Sequence, residues 1–207
     1  MSDPANEAPD LERLFEDLAH PNPYLQAEAY AAMGEYWLEE SIPRLLSLLD
    51  QPDVSLRRAS VRALGSFGAC TLLPLAEMFH ASEDGTVRAS CIKAYAQIAS
   101  NYPLEPFPKE AMDALELALK DDYPVVSVAA VMALGQVGKQ ALDLLRQVCK
   151  GDNPAQAVAA VNALAQIDDP SVEICFGELL EDESTDSYVR ETVNSSLERV
   201  KDMKSRG

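Results

Sequence analysis

The stretch "VSLRRASVRALGSFG", residues 54–68, decides the fold of this 207-residue chain. Its apolar and small side chains recur at helical spacing and therefore lie on one face of a helix. The same pattern returns five more times, and the copies align on one column of mostly small residues. That column contains Gly34, Gly65, Ala96, Gly135, Ala165 and Glu198, at steps of 31, 31, 39, 30 and 33 residues. The chain is therefore an internal repeat of about 30 residues.

A second amphipathic segment precedes each copy, for example "SIPRLLSLLD" and "ALDLLRQVC". Asn22-Pro23 and Asn153-Pro154 predict helix starts, because a polar cap is followed by proline in the first turn. Each unit is then a helical hairpin whose apolar face needs a neighbour. The sequence predicts an all-α fold, a right-handed α-solenoid of about six hairpins. We expect an acidic flexible tail over 1–9, a single solenoid over 10–203 and a tail over 204–207.

The repeat motif also carries a family resemblance. "VSLRRASVRALGSFG" and "TVRASCIKAYAQIA" resemble the V-R-x-x-A-x-x-A-L-G-x-I-G pattern of HEAT repeats, in the short-repeat group that includes the phycobilin lyases of cyanobacteria. More narrowly, "NYPLEPFPKE", "VVSVAAVMALGQVG" and "DSYVRETVNSSL" resemble a cyanobacterial HEAT-repeat protein that interacts with the iron-sulfur assembly protein IscA. The resemblance implies a cytoplasmic protein, with the thylakoid surface as an alternative location. Its implied task is iron-sulfur assembly or work on the phycobilisome.

Composition and motifs exclude several function classes. With 17 Lys+Arg against 34 Asp+Glu, the net charge is −17, which opposes binding to nucleic acid. The chain has no run of 18 apolar residues, so we expect no membrane insertion. His20 and His80 lack the His-Glu pairing of di-iron enzymes with this fold and are expected at helix C-termini. The sequence predicts no catalytic residues and no resident metal.

The second helices of such an array usually line its concave face, so their outward columns can be compared between repeats. The columns of Arg58 and Arg62 are basic in repeats two and three, apolar in four and five and acidic in six. We expect this strip to bind a protein partner, although a strongly curved array would bury its apolar part. The predicted strip consists of Arg58, Arg62, Lys93, Val128, Met132, Val158 and Asn162. Arg57, Arg88 and Arg190 belong to the repeat pattern and are expected to brace neighbouring repeats.

The 39-residue step between Ala96 and Gly135 locates a proline-rich insertion at about 100–109. Its Tyr102 and Phe107 either pack as a stiff spacer between repeats or form an exposed recognition loop. Trp37 either plugs the first repeat or anchors a partner.

The four cysteines show no close spacing. Cys91 and Cys175 fall on apolar helix faces and are expected to be buried. Cys70 and Cys149 are expected at exposed helix ends. A minor alternative is that these two thiols share an iron-sulfur cluster with a partner, and otherwise we expect no cofactor.

The leading functional interpretation is a non-catalytic scaffold that holds a protein partner, either an IscA-type protein or a phycobiliprotein. The alternative is a subunit of a bilin lyase or isomerase that acts on phycobiliprotein cysteines. In that case the strip would bind the bilin, because arginine pairs well with the two propionates of the pigment.

Overall fold

The structure, a computed structural model, describes residues 8–205, with side chains described up to residue 199. The described residues contain twelve α-helices and no strand. The helices are α1 (Leu11–Ala19), α2 (Pro23–Tyr36), α3 (Leu38–Ser47), α4 (Val54–Phe67), α5 (Leu72–Ala81), α6 (Gly85–Asn101), α7 (Lys109–Ala118), α8 (Pro124–Val137), α9 (Leu142–Cys149), α10 (Pro154–Leu164), α11 (Pro170–Glu181) and α12 (Ser187–Ser205). Short 3-10 segments follow α3, α4 and α8 at Leu48–Asp50, Gly68–Thr71 and Gly138–Ala141.

The helices form six consecutive hairpins, as the repeat predicted, and the fold is an all-α solenoid fold. The chain divides into two compact units between Tyr102 and Pro103, inside the proline-rich insertion. Unit 1 contains α1–α6 and unit 2 contains α7–α12, three hairpins each. One continuous array over 10–203 stays a prediction. Residues 1–7 and 206–207, which belong to the predicted tails, lie outside the described residues.

Side-chain caps set the starts of most second helices. The Asp53 carboxylate accepts hydrogen bonds from the backbone N–H groups of Ser55 and Leu56, which begins α4. Asp84 and Asn153 cap α6 and α10 in the same way. Each cap supplies an acceptor to N–H groups that have no partner within the helix.

The repeated arginines stabilise the turn inside their own hairpin, and their role in bracing neighbouring repeats stays a prediction. Arg57 Nη1 donates to the carbonyl of Gln51, six residues earlier, at 2.6 Å. Arg88 and Arg190 likewise donate to carbonyls of the turn that precedes their helix. An arginine one turn into the second helix is long enough to reach back to these carbonyls. Its hydrogen bonds are favourable because the carbonyls would otherwise lack partners.

Close helix approach explains the column of small residues. In unit 1 α4 packs against α6, and a Cβ atom built on Gly65 would lie 2.3 Å from Gln97 Cβ. In unit 2 α8 packs against α10, and a Cβ on Gly135 would lie 2.9 Å from Ala163 Cβ. Around these contacts lie the fully buried side chains of each core, including Leu64 and Tyr95 in unit 1 and Leu134 and Phe176 in unit 2.

Two stretches, Val54–Ala81 and Pro124–Cys149, are long and apolar enough to pass a test for membrane spans. Each stretch consists of two helices joined by a 3-10 segment, which begins at Gly68 or Gly138 with φ of +74° or +78°. Buried core helices pass the same test, and 61% and 44% of the two apolar windows are buried in the protein. The two stretches are therefore weak evidence for a membrane span.

Candidate partner-binding surface

Unit 1 brings the predicted basic residues of α4 and α6 together. Arg58 and Lys93 are exposed, and Arg62 is half-buried one turn after Arg58 on α4. The Arg62 guanidinium donates to the side-chain oxygen of Gln26 at 2.5 Å, which fixes its position against α2. We call Arg58, Arg62 and Lys93 the basic cluster.

Positive charge accumulates in the basic cluster without compensation. Partial burial lowers the pKa of Lys93, and the nearby Arg58 and Arg57 lower it further. No ion pair within residues 8–199 involves Arg58, Arg62 or Lys93. Cations held together in this way repel each other, so an anionic group bound between them would be favourable. The cluster is therefore suited to a carboxylate or another anion.

Unit 2 presents the predicted apolar residues on α8 and α10. Met132 is 62% exposed, and Val128, one turn earlier on α8, is half-buried. Val158 on α10 is also half-buried. Unit 2 leaves these three side chains at least partly exposed, in contrast to the alternative that a strongly curved array buries them. They form a partly exposed apolar row, and Val125, 45% exposed, extends it toward the start of α8.

The side chain of Asn162 forms hydrogen bonds within unit 2. Its amide donates to the carbonyl of Val158 at 3.0 Å, and its oxygen accepts from Arg199 Nη2 on α12, also at 3.0 Å. Arg199 is exposed and was not predicted, because it lies one helical turn beyond the columns of Arg58 and Arg62 in repeat six. One further helical turn in the same column would have included this arginine, which adds a cation to the edge of the apolar row.

The proline-rich insertion packs against both units separately. Tyr102, 41% exposed, donates from its hydroxyl to the carbonyl of Ser66 at 2.5 Å in unit 1. Phe107 is 2% exposed in unit 2, where its N–H and C=O bond the side-chain amide of Gln140 at 2.7 and 3.0 Å. The Glu105–Pro106 peptide bond is cis. Phe107 is therefore a core residue, and its assignment to partner binding was wrong.

Trp37 holds the beginning of the described chain. Its indole N–H donates to the carbonyl of Pro9 at 2.8 Å, and the residue is half-buried between α2 and α3. This contact fits the interpretation of Trp37 as a plug of the first repeat. The exposed part of the ring leaves its role as an interface anchor a prediction.

The cysteines differ from expectation at one position. Cys91 and Cys175 are buried and Cys70 is exposed, as predicted, whereas Cys149 is buried with 3% exposure. The exposure expected for Cys149 was wrong because α11 and the start of α10 cover the end of α9. In the described part of the chain, no group of three or more His, Cys, Asp or Glu side chains could hold a metal. Cys149 therefore offers no surface thiol to an iron-sulfur cluster shared with Cys70 and a partner.

Comparisons with known proteins agree with this architecture. A family model of HEAT repeats matches residues 11–96 and 111–198. The chain is 41% identical over 178 residues to the bilin biosynthesis protein CpeZ of a Synechococcus species, covering 83% of this chain and 96% of the relative. It is 38% identical over 192 residues to the uncharacterized phycocyanin operon protein Z of Pseudanabaena tenuis, covering 92% of this chain and 95% of the relative.

Among solved structures, the X-ray structure of YibA from E. coli matches with a TM-score of 0.57 and 18% identity, over 91% of this chain and 70% of that chain. At this identity the likeness concerns the fold alone. The repeat motif, the hairpins and the sequence relatives lead to the same assignment. The chain belongs to the HEAT-repeat family, in the phycobilin-lyase-like group that its repeat motif indicated.

Proposed function

We propose that this protein is a non-catalytic helical-repeat scaffold that binds a phycobiliprotein on the surface of its second helices. Two relatives are named for bilin biosynthesis and for the phycocyanin operon, and these names support a phycobilisome-related task in the cytoplasm. An IscA-type partner rests on the resemblance of three stretches, in the insertion, in α8 and at the start of α12, and stays a second candidate.

The observation that carries the proposal is the basic cluster. In a chain with net charge −17, Arg58 and Lys93 stand exposed on adjacent helices with no acidic partner within residues 8–199. Uncompensated cations on a rigid helical surface attract and orient an anionic partner. The apolar row of unit 2 offers the partly exposed hydrophobic area that interface centres commonly use. Both features favour recognition of a protein over catalysis.

The rival function is a bilin lyase or isomerase subunit, and the same basic cluster favours it as a ligand site. Two arginines and a lysine could bind the propionates of an open-chain tetrapyrrole. The described surface around the cluster adds no acid-base pair with a shifted pKa to drive a reaction at the pigment. This function therefore stands second.

A binding experiment with defined components separates the candidates. Purified phycobiliprotein subunit without pigment, free bilin and an IscA-type protein are titrated separately against the full chain by calorimetry at low and high salt. The proposal predicts that the phycobiliprotein subunit binds and that high salt weakens the complex. Arg58→Glu with Lys93→Glu should weaken binding about tenfold or more, because charge reversal at an interface costs on the order of 1.4 kcal/mol or more.

The matched control is Lys120→Glu with Lys139→Glu, which changes the net charge equally at exposed sites in unit 2. It should bind like the wild type, and both double variants should keep the wild-type melting temperature. Equal binding by the Arg58/Lys93 variant and the wild type contradicts the proposal. Tight binding of free bilin with transfer to the phycobiliprotein favours the rival, and binding of the IscA-type protein alone favours the second partner.

A further inference from the structure

A groove of about 620 Å³ lies between the first helices of two neighbouring hairpins in unit 1. One side is formed by the end of α3 and the 3-10 segment that follows it. The other side is formed by α5, the turn after it and the first turn of α6. We call this feature the unit 1 groove. It shares no residue with the basic cluster, which lies on second helices, so the two are separate candidate binding sites.

The lining of the unit 1 groove is mostly apolar. Leu46 on α3 and Met78 on α5 are half-buried and line it from opposite sides. Pro74 and Ala81 of α5 and Val87 of α6 complete the apolar part. Its volume lies within the range of pockets that hold small ligands or a few side chains. An apolar side chain of another molecule would therefore gain by leaving water for this groove.

Three exposed carboxylates at the groove have no counter-charge. Asp50, Glu77 and Glu83 line it, and none of them forms an ion pair within residues 8–199. The arginines of the adjacent turns, Arg57 and Arg88, donate to backbone carbonyls of those turns. Unpaired carboxylates beside an apolar lining attract a ligand that is both cationic and apolar.

Unit 2 repeats this part of unit 1 in the same register. The buried Leu45 of α3 corresponds to the buried Leu145 of α9, and the buried Leu75 of α5 corresponds to the buried Cys175 of α11. Each partner in unit 2 comes 100 residues later in the chain. A second cavity, of about 550 Å³, lies between α9 and α11 at the corresponding place. The two grooves can therefore be compared position by position.

In unit 2 the chain supplies the cation itself. Lys150 Nζ lies 2.7 Å from Glu178 Oε2, and this ion pair joins α9 to α11 at the groove. In the same register, unit 1 has Asp50 in place of the lysine and Met78 in place of the glutamate. The unit 1 groove therefore has a negative charge where unit 2 has a positive one, and its apolar lining is not bridged by an ion pair.

We propose that the unit 1 groove binds an amphipathic peptide segment of a protein partner, in which lysine or arginine side chains flank an apolar side chain. The apolar side chain packs between Leu46 and Met78, and a flanking cation pairs with Asp50, as Lys150 does with its glutamate in unit 2. A metal ion does not account for the lining, since no group of three or more His, Cys, Asp or Glu side chains in the described chain could hold one. The proposal goes beyond the proposed function and does not depend on it.

The test titrates the full chain into labelled nine-residue peptides and follows fluorescence anisotropy. Each peptide has two lysines and one leucine in an alanine background, and the separation between lysine and leucine varies within the set. We expect at least one peptide to bind, to bind about tenfold more weakly when its leucine is replaced by alanine, and to lose binding when its lysines are replaced by glutamates.

The leucine replacement is the decisive comparison, because a chain with net charge −17 attracts any basic peptide. Such nonspecific attraction depends on the lysines alone and falls with added salt. Failure of the whole set to bind overturns the proposal. Equally tight binding of the leucine and alanine peptides also overturns it, because the apolar lining would then have no role.

A double variant of the protein copies the ion pair of unit 2 into unit 1. Asp50→Lys with Met78→Glu should weaken peptide binding at least about tenfold, because the protein's own lysine replaces the peptide cation. The matched control is Glu110→Gln, which changes the net charge by the same +1 at an exposed site in unit 2 and should bind like the wild type. If the double variant does not fold, Glu77→Gln with Glu83→Gln removes two exposed carboxylates and should weaken binding about threefold or more. Wild-type affinity in the folded variant overturns the proposal.

Crosslinking identifies the binding site directly. The leucine of the tightest peptide is replaced by a photoreactive leucine analogue, and the crosslinked protein is digested and mapped by mass spectrometry. We expect attachment to α3 or α5, at Leu46, Met78 or Ala81. Attachment only to helices that do not line the unit 1 groove overturns the proposal.

Discussion

Replacing Gly65 by alanine tests the close approach of α4 and α6. An alanine Cβ at this position would lie 2.3 Å from Gln97 Cβ and 3.2 Å from its Cγ. Unbonded carbon atoms are comfortable at about 3.5–4.0 Å, so the two helices would have to separate by about 1 Å. The obstructing Cβ is bonded directly to the α6 backbone, and rotation of the Gln97 side chain cannot relieve the overlap. The cost therefore falls on the packing of the two helices.

The magnitude follows from two opposing effects. Overpacking of a well-packed core costs typically about 1–3 kcal/mol, and an overlap this severe belongs at the upper end of that range. Alanine in a helix is favoured over glycine by about 1 kcal/mol, which offsets part of the cost. We expect Gly65→Ala to lower the free energy of unfolding by about 2 kcal/mol. For a chain of this length, that corresponds to a melting temperature lower by about 4–8 °C.

The assay is thermal unfolding followed by far-UV circular dichroism, with chemical denaturation as a second measurement. Gly177→Ala is the matched control, because a Cβ on this glycine in α11 meets nothing within 4 Å. It should raise the free energy of unfolding by about 0.5–1 kcal/mol, since the helix preference for alanine acts there alone. The same substitution is thus expected to lower the free energy of unfolding at Gly65 and to raise it at Gly177. Stabilisation by Gly65→Ala similar to that by Gly177→Ala would refute the reasoning.

Two further predictions concern the insertion and the helix caps. Phe107→Ala should destabilise unit 2 by about 3–5 kcal/mol, the usual cost of a large core truncation, because the ring is 2% exposed; a melting temperature equal to that of the wild type would show that the ring is dispensable for packing. Stability should fall with acidification, because a backbone hydrogen bond from Thr86 lowers the pKa of Asp84 and a side-chain hydrogen bond from Ser171 lowers that of Asp169. A lowered carboxyl pKa contributes stability that is present above the unfolded value of about 3.9 and is lost as pH falls through the folded value. Thermal melts between about pH 6 and about pH 2.5 measure this loss, and an unchanged slope in Asp84→Asn with Asp169→Asn would contradict the assignment.

Local patterns in the sequence were sufficient to predict the helical hairpins. The 3.6-residue spacing around Leu64, the two Asn-Pro helix starts and the column of small residues predicted six hairpins, which the structure confirms as twelve helices in the described residues. These signals work because helix formation depends on hydrogen bonds between residues four apart and on capping groups two or three residues away. Repetition strengthened them, since six copies average out local exceptions such as Glu198 in the glycine column.

The basic cluster was also accessible from the sequence, because the repeat register relates α4 to α6. Arg58 and Lys93 occupy equivalent helical faces in neighbouring repeats, and the structure places them close enough to influence each other. Arg199 was missed for a simple reason, as the column comparison ended one turn too early. The turn carbonyls that the repeated arginines bind were not predicted, because they lie five to ten residues earlier in the chain and leave no periodic signal.

The sequence by itself determined the class of fold, the repeat and the charge pattern of the second helices. Only the tertiary structure decided that Phe107 is a core residue and that Cys149 is covered. The physical reason is that helical periodicity comes from short-range backbone hydrogen bonding, which the sequence encodes locally. Burial depends on how helices that are distant in the chain pack together, and packing is a property of side-chain volumes in three dimensions.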